Sequence, residues 1–242
     1  MVDIHCHILP GIDDGSESWE MTAAMCRMAA MDGITHIVAT PHCDDQFDYD
    51  RGHYTDMLAT LSEVADGWLT FSIGCDFHVS PRNVEDALAN PQRYAIGESQ
   101  YLLVEFDHHG IPSNASELMM AVISRGLVPI ITHPERNAYL IKRPETVLRF
   151  VETGCLVQVT ADAFGGFWGP KSRKAAEWLL HRNAIHVVAT DAHDLKLRRP
   201  VLSEARERIA ALAGTDTADA LVTQNPAAIV AGQRVPFAPA HH

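Results

Sequence analysis

The sequence predicts an α/β fold in which seven parallel strands, each followed by a helix, form a closed or distorted TIM-like barrel. Apolar runs that predict strands begin near residues 2, 35, 70, 101, 128, 156 and 186, at intervals of about 30 residues, the length of one strand and helix. The predicted strands are apolar on both faces and alternate with helices, which is typical of a parallel sheet covered by helices. An open doubly wound sheet is the structural alternative.

Helices are predicted between these strands from apolar residues that recur at helical spacing. Three of the helices are predicted to end before Gly33, Gly126 and Gly154. Glycine commonly ends a helix because it adopts the left-handed backbone conformation without steric cost. The chain is therefore expected to consist of repeated strand and helix units.

The first strand leads into His5-Cys6-His7, and alternate residues of a strand point to the same side, so both imidazoles can bind one metal ion. Other predicted strands also end in metal-binding residue types, although Asp14 would serve equally well in a turn or as a helix N-cap. Nine candidate ligands lie at or just past strand ends: His5, His7, Asp14, His42, Asp76, Glu105, His133, Asp191 and His193. Ligands from nearly every strand converge on one point only if the strands form a ring.

The types of candidate ligand indicate the chemistry. Imidazoles and carboxylates without a thiolate framework suit zinc, manganese, iron or nickel, and three or four ligands per ion predict two or three ions. Clusters of this kind act mainly on phosphate esters, because they bind phosphoryl oxygens and lower the pKa of a bound water. A metal-dependent hydrolase is therefore the leading hypothesis.

Composition limits the alternatives. The 242 residues are interpreted as one domain, residues 1–235, followed by a tail, residues 236–242, whose two final histidines resemble an expression-tag remnant. The net charge of −12 argues against nucleic acid as a partner. No secretory signal and no membrane-spanning run is recognisable, and the five cysteines form no disulfide framework and are expected to be buried thiols. These features favour a cytoplasmic protein.

Two connections are expected to flank the mouth of the site. They run from Asp44 to His53 and from Ala163 to Pro170. The second contains Phe164, Phe167 and Trp168 beside glycines, so these aromatic side chains are candidates for contact with a substrate. Ordinary solvated loops are the alternative interpretation of both segments.

The motifs resemble a known family. His5-Cys6-His7, the residues 40–42 (Thr-Pro-His), the residues 133–136 (His-Pro-Glu-Arg) and the residues 191–193 (Asp-Ala-His) are similar to the polymerase and histidinol phosphatase (PHP) superfamily. More closely, they resemble its bacterial manganese-dependent protein-tyrosine phosphatases of capsule and exopolysaccharide synthesis. The resemblance covers residues 2 to about 230. It implies a distorted (β/α)7 barrel, the PHP fold, with three divalent metal ions, manganese foremost, or iron, zinc, nickel or cobalt.

The resemblance also implies roles for individual residues. The implied ligand sets are His5, His7 and Asp191 for the first ion; Asp14, His42 and His193 for the second; and Glu105 and His133 for the third, with Asp76 bridging the first and third. The family pattern has Glu where this chain has Asp76. Arg136 and Arg199 match positions that bind phosphate, with Arg198 competing for the second role, and Asp191 counts among the catalytic residues as well as the ligands.

The implied reaction is hydrolysis of phosphotyrosine by metal-activated water, without a cysteine nucleophile. The implied substrate is a phosphotyrosyl protein, the tail of a tyrosine kinase of polysaccharide assembly. Asp194, His53 and His108 are candidates for a general acid. Two alternatives stay open: a small-molecule phosphatase such as a histidinol-phosphatase, and a weakly active metal-binding domain that regulates a partner.

Overall fold

The structure is a computed structural model, and it describes residues 1–237. Parallel strands alternate with helices along these residues. The strands are β1 (Val2–Cys6), β2 (His36–Ala39), β3 (His42–Cys43), β4 (Thr70–Ile73), β5 (Asp76–His78), β6 (Tyr101–Glu105), β7 (Val128–Thr132), β8 (Leu156–Thr160) and β9 (Val187–Ala189). The helices are α1 (Trp19–Met31), α2 (Arg51–Val64), α3 (Pro81–Ala89), α4 (Ala115–Ser124), α5 (Ala138–Lys142), α6 (Glu145–Glu152), α7 (Ala161–Gly165), α8 (Gly169–His181), α9 (Ser203–Ala213), α10 (Thr215–Asp219) and α11 (Asn225–Val230).

The strands, taken in the order of their backbone pairing, form a ring of seven strand positions. One sheet has the order β4–β2–β1 and the other the order β3–β5–β6–β7–β8–β9, with all pairs parallel. β3 continues the path of β2, and β5 continues that of β4, after short breaks. Beyond β9, Ala192 pairs with Cys6 of β1 and accepts a hydrogen bond from the His7 amide. The predicted distorted barrel of seven strand and helix units is confirmed.

Helix starts follow from polar caps in the sequence. Ser18 accepts a hydrogen bond from the Met21 amide at the start of α1, and Ser80 accepts one from the Asn83 amide at the start of α3. Such caps satisfy amides that have no partner within the helix. Each cap lies in the segment that leads from a strand end into a helix.

Two apolar layers hold the strands. The outer faces of the strands pack against the helices in one large core. The inner faces meet in a smaller cluster, and α11 contributes Ile229 to it. This inner cluster consists of Val2, Ile4, Val38, Ile96, Tyr101, Leu103, Ile130, Leu156, Val187, Ala189, Ile229 and Val235. It fills the barrel interior toward the amino ends of the strands and leaves the carboxyl ends for polar residues.

The connection predicted from Ala163 to Pro170 is mostly helical, because α7 extends to Gly165 and α8 begins at Gly169. At the carboxyl end of the chain, Phe237 still bonds through its backbone to Asn225, and the supposed tag residues lie outside the described residues.

Among the helices of residues 1–237, none combines the length and apolarity needed to cross a membrane.

Candidate active site at the carboxyl ends of the strands

The paired histidines of the first strand reach the barrel interior through a bulge. The register between β1 and β2 shifts between Asp3 and Cys6, so β1 carries one residue more than its partner there. Ile4 packs in the inner cluster, yet the next residue, His5, also faces the interior, with its Nε2 3.3 Å from Nε2 of His7. Bulges often re-aim side chains beside active sites. Through this bulge, an otherwise apolar strand contributes the imidazoles of His5 and His7 to the site.

Two further candidate ligands have uncommon backbone conformations after their strands. His133 follows β7 with a φ of 32°, and Asp191 follows β9 with a φ of 52°. Positive φ is uncommon outside glycine and is found disproportionately at functional sites. Asp191 Oδ1 lies 3.3 Å from His5 Nε2 and 3.4 Å from His7 Nε2. The strained backbone therefore accompanies side chains that point into the cluster.

All nine candidate ligands meet at this end of the barrel, in four overlapping groups. Within each group, one potential ligand atom from every residue lies within 4.8 Å of the others. The groups are His7, Asp14, His42 and His193; His5, His7 and Asp76; His5, His133 and Asp191; and His42, Asp76 and Glu105. The structure thus brings together every residue that the sequence predicts as a ligand.

The acidic turn after β1 packs directly on His7. Asp14 Oδ1 lies 3.3 Å from His42 Nε2 and 3.2 Å from His193 Nε2. A Cβ atom at Gly15 would lie 2.3 Å from the His7 carbonyl oxygen and 2.4 Å from its Cβ. Only glycine therefore allows this approach, which carries Asp14 to two imidazoles.

Asp76 lies between two of the groups. Its Oδ2 is 3.5 Å from His5 Nε2 and 3.1 Å from His42 Nδ1. Within residues 1–237, both Asp76 carboxylate oxygens, His42 Nδ1 and His193 Nε2 are buried without a well-directed hydrogen bond. Buried polar atoms rarely lack a partner unless water or an ion supplies one. Unpartnered carboxylate and imidazole atoms in one cluster match the donors that divalent metals take.

Charges within the cluster affect its imidazoles in opposite ways. Burial disfavours a charged His5, but the carboxylates of Asp191 and Asp76 outweigh burial and raise the pKa of His5 to about 9. At His193, burial together with the neighbouring His7 lowers the pKa to about 4. An imidazole must be neutral to bind a metal. A metal bound by both imidazoles at neutral pH would therefore have to displace a proton from His5 but not from His193.

A carboxylate and an imidazole face each other on the neighbouring strands β6 and β7. Burial, together with the nearby Asp76 carboxylate, raises the pKa of Glu105, whose Oε1 lies 3.6 Å from His133 Nε2. Burial, aided by Arg136, holds the pKa of His133 well below its ordinary value. The crowding of like charges at Glu105 disfavours its ionised form. A bound cation would reverse that effect, because it is the largest local charge in such a site.

Two residues not identified from the sequence orient the imidazoles from outside the cluster. Asp13 Oδ2 lies 2.7 Å from His7 Nδ1, and Gln158 Oε1 lies 3.1 Å from His5 Nδ1. Each contact engages Nδ1 of the imidazole and leaves its Nε2 facing the cluster. Burial would raise the pKa of Asp13, but His7 outweighs it and lowers the pKa to about 2. Gln158 was detectable as the polar residue in an apolar strand.

Two arginines bind the other oxygen of the Asp191 carboxylate. Arg136 donates to Asp191 Oδ2, and Arg198 Nη2 donates to the same atom at 2.6 Å. Arg199 instead pairs with Glu204 at 3.1 Å, on the surface. Of the two neighbouring arginines, the structure therefore brings Arg198 to the cluster and leaves Arg199 away from it. In the turn after His193, the consecutive side chains of Arg198 and Arg199 point to different sides.

The aromatic residues of the predicted connection differ in their surroundings. Phe164 is 1% exposed in the outer core, so the expectation that it is exposed for substrate contact is wrong. Phe167 is exposed and packs edge to face on Trp168 at 5.0 Å between ring centroids. The Trp168 ring lies over the Arg136 guanidinium, 4.0 Å from ring centroid to Cζ. Trp168 therefore lies beside the arginines, and Phe167 packs on Trp168.

The three general-acid candidates lie at different distances from the cluster. The His108 ring centroid is 6.4 Å from that of His133. Asp194 accepts hydrogen bonds from the backbone amides of residues 196–198, and His53 lies in the first turn of α2 beside Tyr54. Of the three, His108 is the one whose ring lies near a candidate ligand.

The family that matches this chain is known for polysaccharide synthesis. The sequence profile of the family described as "Capsular polysaccharide synthesis, CpsB/CapC" matches residues 1–231. The chain belongs to the CpsB/CapC family. This membership confirms the resemblance drawn from the motifs.

Relatives of this family carry names that specify an activity. "Tyrosine-protein phosphatase YwqE" of Bacillus subtilis (strain 168) is 35% identical over 214 residues, which cover 85% of this chain and 82% of that protein. "Tyrosine-protein phosphatase CpsB" of Streptococcus pneumoniae is 28% identical over 97% of this chain and 100% of that protein. Each alignment thus covers more than four fifths of both proteins.

Solved structures agree with the fold. One from a study of YwqE from Bacillus subtilis and CpsB from Streptococcus pneumoniae, "unique metal-dependent tyrosine phosphatases", superposes with a TM-score of 0.90 and 30% identity, covering 100% of both chains. Histidinol phosphate phosphatase from Lactococcus lactis superposes with a TM-score of 0.60 at 15% identity, over 88% of this chain and 93% of that one. The second likeness shows a shared fold only.

Proposed function

We propose that this CpsB/CapC family member is a metal-dependent phosphatase that removes phosphate from tyrosine residues of proteins. One observation carries the proposal: a cluster of imidazoles and carboxylates shares a carboxylate, that of Asp191, with a pair of arginines. Cations and guanidinium groups are the groups that bind a phosphoryl oxygen and stabilise charge on it. The named relatives with tyrosine-phosphatase activity support the choice of substrate.

The ligand sets are those that the resemblance implies, and contacts within the cluster support them. We assign three ions, manganese foremost, to these sets: His5, His7 and Asp191; Asp14, His42 and His193; and Glu105 and His133. Asp76 has the surroundings of a ligand that bridges two ions. It belongs both to the group with His5 and His7 and to the group with His42 and Glu105. Bound divalent metals supply Lewis-acid activation of water and neutralise charge on the phosphate.

The side chains of this chain bind and orient the substrate. Arg136 and Arg198 present N–H donors beside the carboxylate that faces His5 and His7, so a phosphate held there accepts hydrogen bonds from both guanidinium groups. Arg198 takes the second role assigned by resemblance, since Arg199 pairs with Glu204. A tyrosine phenolate, with a pKa of about 10, leaves with less proton assistance than an alkoxide.

The family and the cysteines support proposals for the substrate protein and its location. A tyrosine kinase of polysaccharide assembly is the proposed partner, because the family profile is one of capsular polysaccharide synthesis. The exposed Phe167 packs on Trp168, which lies over the arginines, and supplies an apolar surface for an aromatic ring. The five cysteines are free and buried, which agrees with a reducing compartment such as the cytoplasm.

The deciding experiment is phosphate release from a phosphotyrosyl peptide by the purified, manganese-loaded protein, with histidinol phosphate assayed beside it and chelator-treated protein as the control. Metal-dependent turnover that prefers the peptide is the expected result. Preference for histidinol phosphate would assign a small-molecule phosphatase. Bound metal without turnover of either substrate would favour the regulatory alternative.

Variants assign the activity to the cluster. His133→Ala and Asp191→Ala are expected to abolish phosphate release while circular dichroism stays close to that of the original protein. Full activity in both variants would contradict the site.

A further inference from the structure

Trp168 lies against the two arginines, and none of the ring contacts found within residues 1–237 joins it to a histidine or carboxylate of the cluster. Its ring centroid is 4.0 Å from Cζ of Arg136 and 5.7 Å from Cζ of Arg198. Both guanidinium groups are largely buried, with 9% and 20% of their side chains exposed. A guanidinium stacked on an aromatic face keeps its N–H edges free for hydrogen bonds.

We propose that Trp168 is a positioning residue that holds Arg136 and Arg198 in the orientation that binds the substrate's phosphate. This inference rests on the proposed phosphatase function and gives Trp168 a role different from the substrate contact that the sequence suggests. Without the indole, the Arg136 side chain regains rotamers that turn its donors away from the site, and binding phosphate must then order the side chain again.

The backbone and neighbours of Trp168 support a fixed ring. Gly166 and Gly169 flank it with φ values of 85° and 86°, a left-handed conformation that other residues adopt at a cost. Phe167 packs on its edge. The indole Nε1 is buried and has no hydrogen-bond partner within residues 1–237, so stacking rather than a polar contact orients the ring on the arginines.

The chain provides a matched control. Trp178 in α8 stacks on Arg182 with 3.7 Å between ring centroid and Cζ, the same type of contact. Arg182 makes no contact with the cluster among the interactions of the described residues. Removing the Trp178 ring therefore reproduces the chemical change of Trp168→Ala without touching the proposed phosphate-binding arginines.

The test measures inorganic phosphate binding to the manganese-loaded protein by calorimetry, beside kcat/KM for a phosphotyrosyl peptide. We expect Trp168→Ala to weaken phosphate binding by about tenfold, within the range for a partly desolvated cation–π contact, with metal content unchanged. Trp168→Phe should restore binding to within about threefold of the original value, because it retains an aromatic face. Trp178→Ala should bind phosphate like the original protein.

A second measurement requires no substrate. The ring current of Trp168 should shift the Arg136 Nε proton resonance, assigned with Arg136→Lys, and Trp168→Ala should abolish that shift. Should Trp168→Ala fail to fold, Trp168→Leu replaces it, since leucine keeps apolar bulk without an aromatic face. Unchanged phosphate affinity in the non-aromatic variant, equal loss in Trp178→Ala, or no recovery in Trp168→Phe would each overturn the proposal.

These readouts separate the two proposals. If the original protein fails to hydrolyse the phosphotyrosyl peptide, the phosphatase assignment fails, whereas phosphate binding and the Arg136 resonance still decide the role of Trp168. If the peptide is hydrolysed and Trp168→Ala binds phosphate normally, only the positioning role is wrong.

Discussion

The barrel interior has two halves, one at the amino ends and one at the carboxyl ends of the same strands. The two halves differ in the side chains that fill them. On β6, Leu103 belongs to the apolar inner cluster, and Glu105 on the same face, two residues later, belongs to the ligand cluster. On β8, Leu156 and Gln158 show the same change from apolar to polar. The amino-end half consists of packed aliphatic side chains, and the carboxyl-end half of imidazoles, carboxylates and arginines.

The difference separates stability from function. The amino-end half removes apolar surface from water and has no titratable member other than Tyr101, whose hydroxyl donates to Gln233 O. The carboxyl-end half holds buried polar atoms without partners and two non-glycine residues with positive φ. Such features lower stability and persist where function selects them. Substitutions in the amino-end half should therefore lower stability and spare activity, and substitutions in the carboxyl-end half should do the reverse.

After the loss of His133 or Asp191, the largest effect on activity is expected for Glu105→Gln. Loss of this ligand should lower kcat/KM by more than about 100-fold, the upper end for residues that merely support ligands. The same variant should stabilise the metal-free protein at pH 8, because burial and Asp76 raise the pKa of Glu105. A carboxyl group with a raised folded pKa contributes stability that is complete below its unfolded pKa, near 4.3, and that is lost as pH rises.

Denaturant unfolding of chelator-treated protein checks this second part. The free energy of unfolding of Glu105→Gln, relative to the original protein, should increase from pH 5 to pH 8. A difference that is constant with pH would show that its surroundings do not raise the pKa of the Glu105 carboxyl.

The next largest effect separates two neighbouring arginines. Arg198→Ala should lower kcat/KM by about 100-fold, the scale for one preorganised donor to developing charge. Arg199→Ala removes only the partly exposed pair with Glu204 and should change kcat/KM by less than about twofold. Phosphotyrosyl peptide kinetics for the two variants would reverse the assignment if Arg199→Ala were the impaired one.

A smaller effect is expected from the residue that supports His5. Gln158→Leu removes the 3.1 Å contact to His5 Nδ1 and should weaken metal binding by about 10- to 100-fold. Its free energy of unfolding should stay nearly unchanged, because the buried Gln158 Nε2, which has no hydrogen-bond partner, is removed as well. Metal titration and urea unfolding measure both quantities. Unchanged metal affinity would contradict an orienting role.

The sequence predicts the strand positions well, because long apolar runs separated by helical spacing leave little ambiguity. All seven predicted strand starts lie within one residue of β1, β2, β4, β6, β7, β8 and β9. The two-residue β3 and the three-residue β5 are too short to show periodicity. The α7–α8 region appeared as a loop because its glycines outweigh its helical residues in a local pattern, whereas Phe164 packs in the core.

The site shows the same division. Residue type and strand-end placement identify the nine candidate ligands, which the structure brings together. The outer partners Asp13 and Gln158 depend on which acceptor a turn or a neighbouring strand aims at an imidazole nitrogen. The choice between Arg198 and Arg199 depends likewise on the turn after His193. Contacts of this kind arise from backbone direction over one or two residues, which a residue pattern does not specify.

The smallest effect on activity is expected in the amino-end half. Leu156→Ala removes buried methyl groups from the inner cluster and should lower the free energy of unfolding by about 2–5 kcal/mol. The remaining folded protein should retain metal affinity and kcat/KM within about twofold, because Leu156 contacts the apolar layer below the ligands. Gln158→Leu, two residues later on the same face, should show the reverse. A large loss of metal affinity in Leu156→Ala would mean that the apolar layer positions the ligands, and that the two halves are one functional unit.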